Sequence, residues 1–325
     1  MKAIVYYNYG SPDVLKCEEI EKPTAGDDEV LIKVRAASVN PADRLFRGTS
    51  YIVRILTGLR KPKDARLGRD VAGQVEAVGR NVTQFKPGDE VFGACRGAFA
   101  EYACTSESAL VMKPENVTFE QAASVPVAAL TALQGLRDKG QIQPGQKVLI
   151  NGAAGGVGTF AVQIAKSFGA DVTGVCSTRN VDMVRSIGAD HVIDYTREDF
   201  TKRGQRYDVI FDCVGNHPLS ACRHVLNPKG ICVLVGAPHK VWIVLIRALK
   251  ALALSRFVSQ KFVMFIARRS KEDLTIMRDL MKTGKVTPVI DKHYRLSEVP
   301  DAIRYLEEGH ARGKVVITLE YNSKM

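Results

Sequence analysis

Residues 149–179, LINGAAGGVGTFAVQIAKSFGADVTGVCSTR, constrain this chain more than any other stretch. An apolar run enters a glycine cluster, apolar residues then recur at the helical period, and a second apolar run follows. Aligned to the pattern GxGxxG, the cluster is Ala153-Ala154-Gly155-Gly156-Val157-Gly158, with alanine in place of the first glycine. Gly155 lets a pyrophosphate approach the backbone, and Gly158 lets the following helix pack closely on the sheet. The N-terminus of that helix offers unpaired N–H groups and a partial positive charge to phosphate. Position after a strand, before an amphipathic helix and ahead of a second strand is the context that gives the pattern its meaning. The stretch predicts a βαβ unit holding a dinucleotide, with Ala154, Gly155, Gly156, Val157 and Gly158 as the phosphate loop.

The second strand of such a unit should end at the adenosine ribose. An acid there bonds the 2′-hydroxyl and repels a 2′-phosphate, whereas its absence beside an arginine favours NADP(H). Here the tip reads Cys176-Ser177-Thr178-Arg179. Ser177 can donate to the phosphate and Arg179 can pair with it in a charge-assisted hydrogen bond. The bland alternative is that Arg179 is only a solvated loop charge.

Around this unit the rhythm of the chain changes once. Up to about residue 122 short strand-like runs alternate with turns, as in EVLIKVRAASV (29–39), VAGQVEAVG (71–79) and EVFGA (90–94). KPGDEVFG places Pro-Gly-Asp just before a strand, which is turn chemistry. From about residue 124, strands KVLING, DVTGVCS, HVIDY, YDVIFDCVG and ICVLVGA are interleaved with helical stretches, which implies a parallel sheet covered on both faces. A helix (SKEDLTIMRDLMKTG) leads to a final helix and strand (VPDAIRYLEEGHARGKVVITL), which are expected to return to the first domain. The expected fold is α/β, a β-rich barrel-like domain beside a doubly wound parallel sheet. At 325 residues and 46% hydrophobic content, two domains with ample cores are expected. Neither a signal pattern at MKAIVYYNYG nor an apolar run of bilayer length is visible, so a soluble, cytoplasmic protein is expected. The seven cysteines form no CxxC pair and read as reduced, buried residues.

Several marks together resemble the medium-chain dehydrogenase/reductase superfamily: VNPAD (39–43), GRDVAGQVEAVG (68–79), FKPGDEVFG (85–93), the AAGGVG loop and RGKVVI (312–317). They occur in the family's order over essentially the whole chain. Within it, the chain is similar to the zinc-free quinone oxidoreductase (zeta-crystallin-like) branch, and GRDVAG and VTGVCS look closest to reticulon-4-interacting-protein-like and chloroplast-envelope quinone-oxidoreductase-like members. The resemblance implies a GroES-like catalytic domain from residues 1–122 and 269–325, a Rossmann domain over 123–268, and a homodimer. Zinc-dependent alcohol dehydrogenases carry Cys where this chain has Asn40 and His where it has Arg69. Neither an amide nor a guanidinium serves as a normal Zn²⁺ ligand, so no metal is expected.

Without a Lewis acid, a simple ketone is a hard acceptor, because its developing alkoxide needs stabilisation. A quinone or an α,β-unsaturated carbonyl spreads that charge by delocalisation. Asn40 is then a candidate donor to the acceptor oxygen and Arg69 a source of fixed positive charge. Their alternatives are a turn cap before Pro41 and an ion pair with Asp70. The resemblance also places Thr131 near the nicotinamide, Tyr195 beside the 2′-phosphate, and Val214, Gly236 and Lys314 along the cofactor. For Thr131 a bond to its own helix backbone is the alternative; for Tyr195 it is a place in the core.

Net charge is +11, and from Cys213 through Lys271 there are ten Lys or Arg but no Asp or Glu. The segment 239–269, with Lys240, Trp242, Arg247 and Lys250, reads first as a lid or dimer-interface helix. Peripheral contact with an anionic membrane surface is the second reading. Nucleic acid is disfavoured, because no aromatic-interleaved basic patch is present. The leading functional expectation is a zinc-independent, NADPH-dependent oxidoreductase acting on a quinone or enone. A catalytically idle NADPH-binding sensor or RNA- or partner-binding protein, and a metal-free alcohol or aldehyde reductase, are the alternatives.

Overall fold

The computed structural model describes residues 1–46, 54–55, 58–235, 246, 249–251 and 257–320. Gly236, Lys240, Trp242 and Arg247 lie outside them, and with them most of what was expected of the basic segment. Two compact units emerge, Met1–Val127 with Arg269–Gly284 and Pro288–Met325, and Ala128–Arg268 with Lys285–Thr287.

The first unit opens with β1 (Lys2–Val5), β2 (Lys16–Glu19), β3 (Glu29–Val39), β4 (Asp70–Val78), β5 (Glu90–Ala94), β6 (Tyr102–Ser106) and β7 (Leu110–Met112). Helix α1 (Pro41–Phe46) follows β3, and α2 (Phe119–Ala123) and α3 (Pro126–Gln134) follow β7. Thr118 caps α2 with a reciprocal bond to Gln121, the capping box that satisfies two backbone donors at once.

The second unit holds a six-stranded parallel sheet. Its strands are β8 (Lys147–Asn151), β9 (Asp171–Cys176), β10 (His191–Asp194), β11 (Tyr207–Asp212), β12 (Leu226–Leu234) and β13 (Lys261–Met264). Their order is β10-β9-β8-β11-β12-β13. Val148, Leu149 and Ile150 are wholly buried, and so are Ile210 and Phe211, the continuous apolar runs of strands covered on both faces. Helices α4 (Gly156–Ser167), α5 (Val181–Ser186) and α6 (Leu219–His224) cross over between strands. The order reverses between β8 and β11, so the loops after these two strands diverge and leave a crevice at the carboxyl edge of the sheet.

The chain ends in α7 (Lys271–Lys282), β14 (Ile290–Arg295), α8 (Val299–Glu307) and β15 (Lys314–Thr318). The two strands belong to the first unit's sheet, ordered β14-β15-β3-β4-β5-β7 with β6 on β3. Val30, Ile32, Val34, Val71, Val91, Phe99, Val315 and Ile317 form its core. β15 runs antiparallel to β3 with Val315 opposite Val39, and β4 runs antiparallel to β3 with Asp70 opposite Ser38. This register brings residues 38, 70 and 315 to one end of the sheet.

Candidate functional site

At the carboxyl edge of the parallel sheet, the predicted phosphate loop lies between β8 and α4. Gly152, which the sequence pattern did not single out, turns the chain with φ of 84°, a left-handed conformation that L side chains rarely adopt. The loop is held to β9, since the N–H groups of Gly152 and Ala153 both donate to the Val175 carbonyl, at 3.2 and 3.0 Å. A β-carbon on Gly158 would stand 2.0 Å from the Gly152 carbonyl oxygen, so the helix touches the loop through a hydrogen atom alone. Gly155 differs: its β-carbon would meet only that same oxygen, at 3.5 Å. The space over Gly155 is open. Gly155 is the N-cap of α4 and uses no side chain to cap it, so this space and the half-buried first turn suit a dinucleotide's pyrophosphate.

Of the other predicted cofactor residues, Val214, Ser177, Arg179 and Tyr195 lie on the same edge, whereas Lys314 belongs to the first unit. Val214 stands after β11, where the Asp212 carboxylate accepts the N–H groups of Val214 and Gly215 at 3.1 and 2.8 Å and the Asn151 amide at 2.8 Å. A β-carbon on Gly152 would lie 2.7 Å from the Val214 side chain, so the two loops meet at the reversal point. Ser177 is half-buried, whereas Thr178 and Arg179 are exposed. The nearest strand-end acid, Asp194, is committed: it accepts the Thr178 and Thr196 hydroxyls at 2.6 and 2.7 Å and stands 3.4 Å from Arg197. Those hydroxyl bonds, chiefly that of Thr178, hold its carboxyl below the usual carboxylate range. Tyr195 is 60% exposed and donates its N–H to the Cys176 carbonyl, so it does not belong to the core. Thr131 stands on α3, half-buried.

In the first unit, Asn40 belongs to a buried polar cluster. Ser38, Asn40, Asp43, Asp70 and Lys314 are each at most 3% exposed. Both Ser38 Oγ and Asn40 Nδ2 donate to Asp70 Oδ2, at 2.8 and 2.9 Å, and Asn40 Nδ2 also reaches the Ser38 carbonyl. Lys314 Nζ donates to Asn40 Oδ1 at 2.7 Å and lies 3.6 Å from Asp70. Asp70 Oδ1 accepts the Val127 N–H. The Asn40 N–H donates to Asp43 Oδ2 at 2.7 Å, the bond that closes the first turn of α1. Asp43 Oδ1 is left buried with no partner. Arg69, half-buried, has its guanidinium pKa lowered chiefly by burial and then by Arg269. Sequence reasoning named Asn40, Arg69 and Lys314 but treated them separately. It did not assign Asp43 or Asp70 a role in the site, although VNPAD, GRDVAG and RGK contain all three charged members.

One ammonium here faces two carboxylates away from water. Burial pushes the Asp43 carboxyl up to about 7, and the neighbouring Asp70 charge adds to the shift. Burial also lowers the Lys314 pKa, against the pull of Asp70 and Asp43. Asp43 thus holds its proton more tightly folded than unfolded. Its contribution to stability is complete below its ordinary pKa near 4 and is lost as pH rises to about 7. Relative to wild type, Asp43→Asn should therefore gain stability over that window, on the order of 2–4 kcal/mol. Urea unfolding at a series of pH values measures it; parallel profiles for the two proteins would remove the shift.

Comparison with known proteins adds to this geometry. Residues 26–115 match the family model described as "Alcohol dehydrogenase GroES-like domain", and residues 187–317 the one described as "Zinc-binding dehydrogenase". The chain is 37% identical to the chloroplastic NADPH-dependent alkenal/one oxidoreductase of Arabidopsis thaliana, over 98% of this chain and 79% of that one. It is 36% identical to the mitochondrial NAD(P)H oxidoreductase RTN4IP1 of Mus musculus, over 98% and 89%. Among solved structures, the quinone oxidoreductase from Coxiella burnetii superposes with a TM-score of 0.87 at 33% identity, covering 98% of this chain and 99% of that one.

Proposed function

The chain belongs to the medium-chain dehydrogenase/reductase superfamily, and from that premise we propose a zinc-independent, NADPH-dependent oxidoreductase acting on quinones or α,β-unsaturated carbonyls. The observation that carries the cofactor choice is the turn after β9, where Ser177, Thr178 and Arg179 follow the strand with no acid among them, and the open loop at Gly155. Gly155 to Gly158 hold the pyrophosphate on the first turn of α4, and Val214 lines the crevice. Ser177, Arg179 and Tyr195 meet the 2′-phosphate. Bound NADPH supplies a hydride from its nicotinamide.

In the first unit Arg69 is assigned to the acceptor side, and in the second unit Thr131 is assigned to the nicotinamide. With Asn40 Oδ1 taken by an ammonium and its amide hydrogens by Asp70 and Ser38, the residue holds its end of the strand in place. A buried ammonium at this point also suits a zinc site poorly, which supports metal-free chemistry despite the family model's description. Arg69 contributes positive charge toward an acceptor oxygen that gains electron density, and a quinone or enone needs less of that help than a ketone. The names of the Arabidopsis and Coxiella relatives support this acceptor class. Among the described residues no helix is long and apolar enough to cross a membrane. A homodimer in the cytoplasm completes the proposal.

Arg179→Ala tests the cofactor assignment. The NADPH KM should rise about tenfold to a hundredfold, the loss of one charge-assisted contact of about 1.5–3 kcal/mol, while NADH use stays largely unchanged. An unchanged NADPH to NADH ratio would take Arg179 out of the site.

A further inference from the structure

Asn180 ends the turn after β9 and stands at the N-cap position of α5, where an asparagine ordinarily turns its oxygen onto the first helical N–H groups. Here it makes no such cap. Its side chain is 6% exposed and turns back to the strand tip, where Nδ2 donates to Ser177 Oγ at 3.1 Å, while its Oδ1 is buried with no partner. The reverse orientation of the amide would bury both N–H bonds unpaired, and orphaned buried N–H groups are rarer than under-satisfied carbonyls. A buried acceptor left without a donor is a local cost of the kind proteins carry at functional positions.

The consequence falls on Ser177. Its oxygen accepts from Asn180, so its own proton must point elsewhere, and among the described residues it has no acceptor. The two neighbouring hydroxyls, Thr178 and Thr196, are committed to Asp194. Of the three aliphatic hydroxyls described at this edge, those of Ser177, Thr178 and Thr196, only that of Ser177 has a proton to offer.

We propose that Asn180 is a positioning residue that fixes the direction of the Ser177 hydroxyl and thereby selects a nucleotide carrying a 2′-phosphate. The proposal rests on the assignment of Ser177 to that phosphate.

Calorimetric titration with adenosine 2′,5′-bisphosphate and adenosine 5′-monophosphate tests it on the intact chain without turnover. Ser177→Ala should weaken bisphosphate binding about tenfold and leave monophosphate binding within about twofold. Asn180→Ala, which frees the hydroxyl to rotate, should weaken the bisphosphate about threefold to tenfold. Asn180→Asp, a pure acceptor that draws the Ser177 proton inward, should weaken it at least as much. In the Ser177→Ala background both Asn180 changes should lose most of their effect. Loss of discrimination in Ser177→Ala but not in the Asn180 variants would overturn the proposal and leave the cofactor assignment standing. Asn180 effects of equal size with and without the serine would also overturn it. No change in Ser177→Ala would overturn both. If one Asn180 variant fails to fold, the other decides.

Discussion

Gly158→Ala is expected to unfold the second unit locally, while Gly155→Ala, three residues earlier in the same loop, should leave the fold intact and abolish tight cofactor binding. The new methyl at 158 would sit 2.0 Å from the Gly152 oxygen, in a loop pinned to β9 by two hydrogen bonds, so neither backbone can yield without breaking the other's contacts. Overpacking of this kind against backbone costs about 3 kcal/mol, which lowers Tm by on the order of 10 °C. At 155 the backbone φ of −84° suits alanine and the nearest atom is 3.5 Å away. That methyl occupies the space assigned to the pyrophosphate, and affinity for NADPH and NADH should fall together by about tenfold to a hundredfold. Thermal melts and nucleotide titrations of the two variants separate the effects. Wild-type affinity in Gly155→Ala would move the pyrophosphate away from this loop.

Lys314→Met has the second large effect, in the other unit. It leaves Asp70 with hydroxyl, amide and backbone donors only, and removes the donor to Asn40 Oδ1. Breaking a buried pair by removing one partner typically costs about 3–5 kcal/mol, because the remaining charge is stranded. Adding Asp70→Asn should recover part of the loss, with a coupling of roughly 1–3 kcal/mol in a double-mutant cycle followed by urea unfolding. If the two losses simply add, the ammonium and the carboxylate do not act as a unit.

These two sites differ in how far the sequence disclosed them. The glycine loop proposed for the nucleotide was readable as a loop because its geometry follows from local rules within about thirty residues: a strand, a glycine that must lack a β-carbon, a helix start and a strand tip without acid. Gly152 was overlooked because its positive φ depends on the turn it makes, and Asn180 because an N-cap asparagine usually caps. The polar cluster was unreadable as a cluster. Asn40, Asp70 and Lys314 are joined across separations of 30 and 274 residues by the register of three strands. Register is set by which face is buried, and no short pattern records it. The expectation of a zinc-free site rests on residue type at 40 and 69 alone, because neither an amide nor a guanidinium is a normal zinc ligand.

The measurement that tests the account most directly is steady-state oxidation of NADPH and NADH, with EDTA present, against ortho- and para-quinones and a medium-chain enone. Turnover that prefers NADPH and is indifferent to the chelator is the predicted result. Tight NADPH binding without turnover of any acceptor, or activity that EDTA removes and zinc restores, would contradict it.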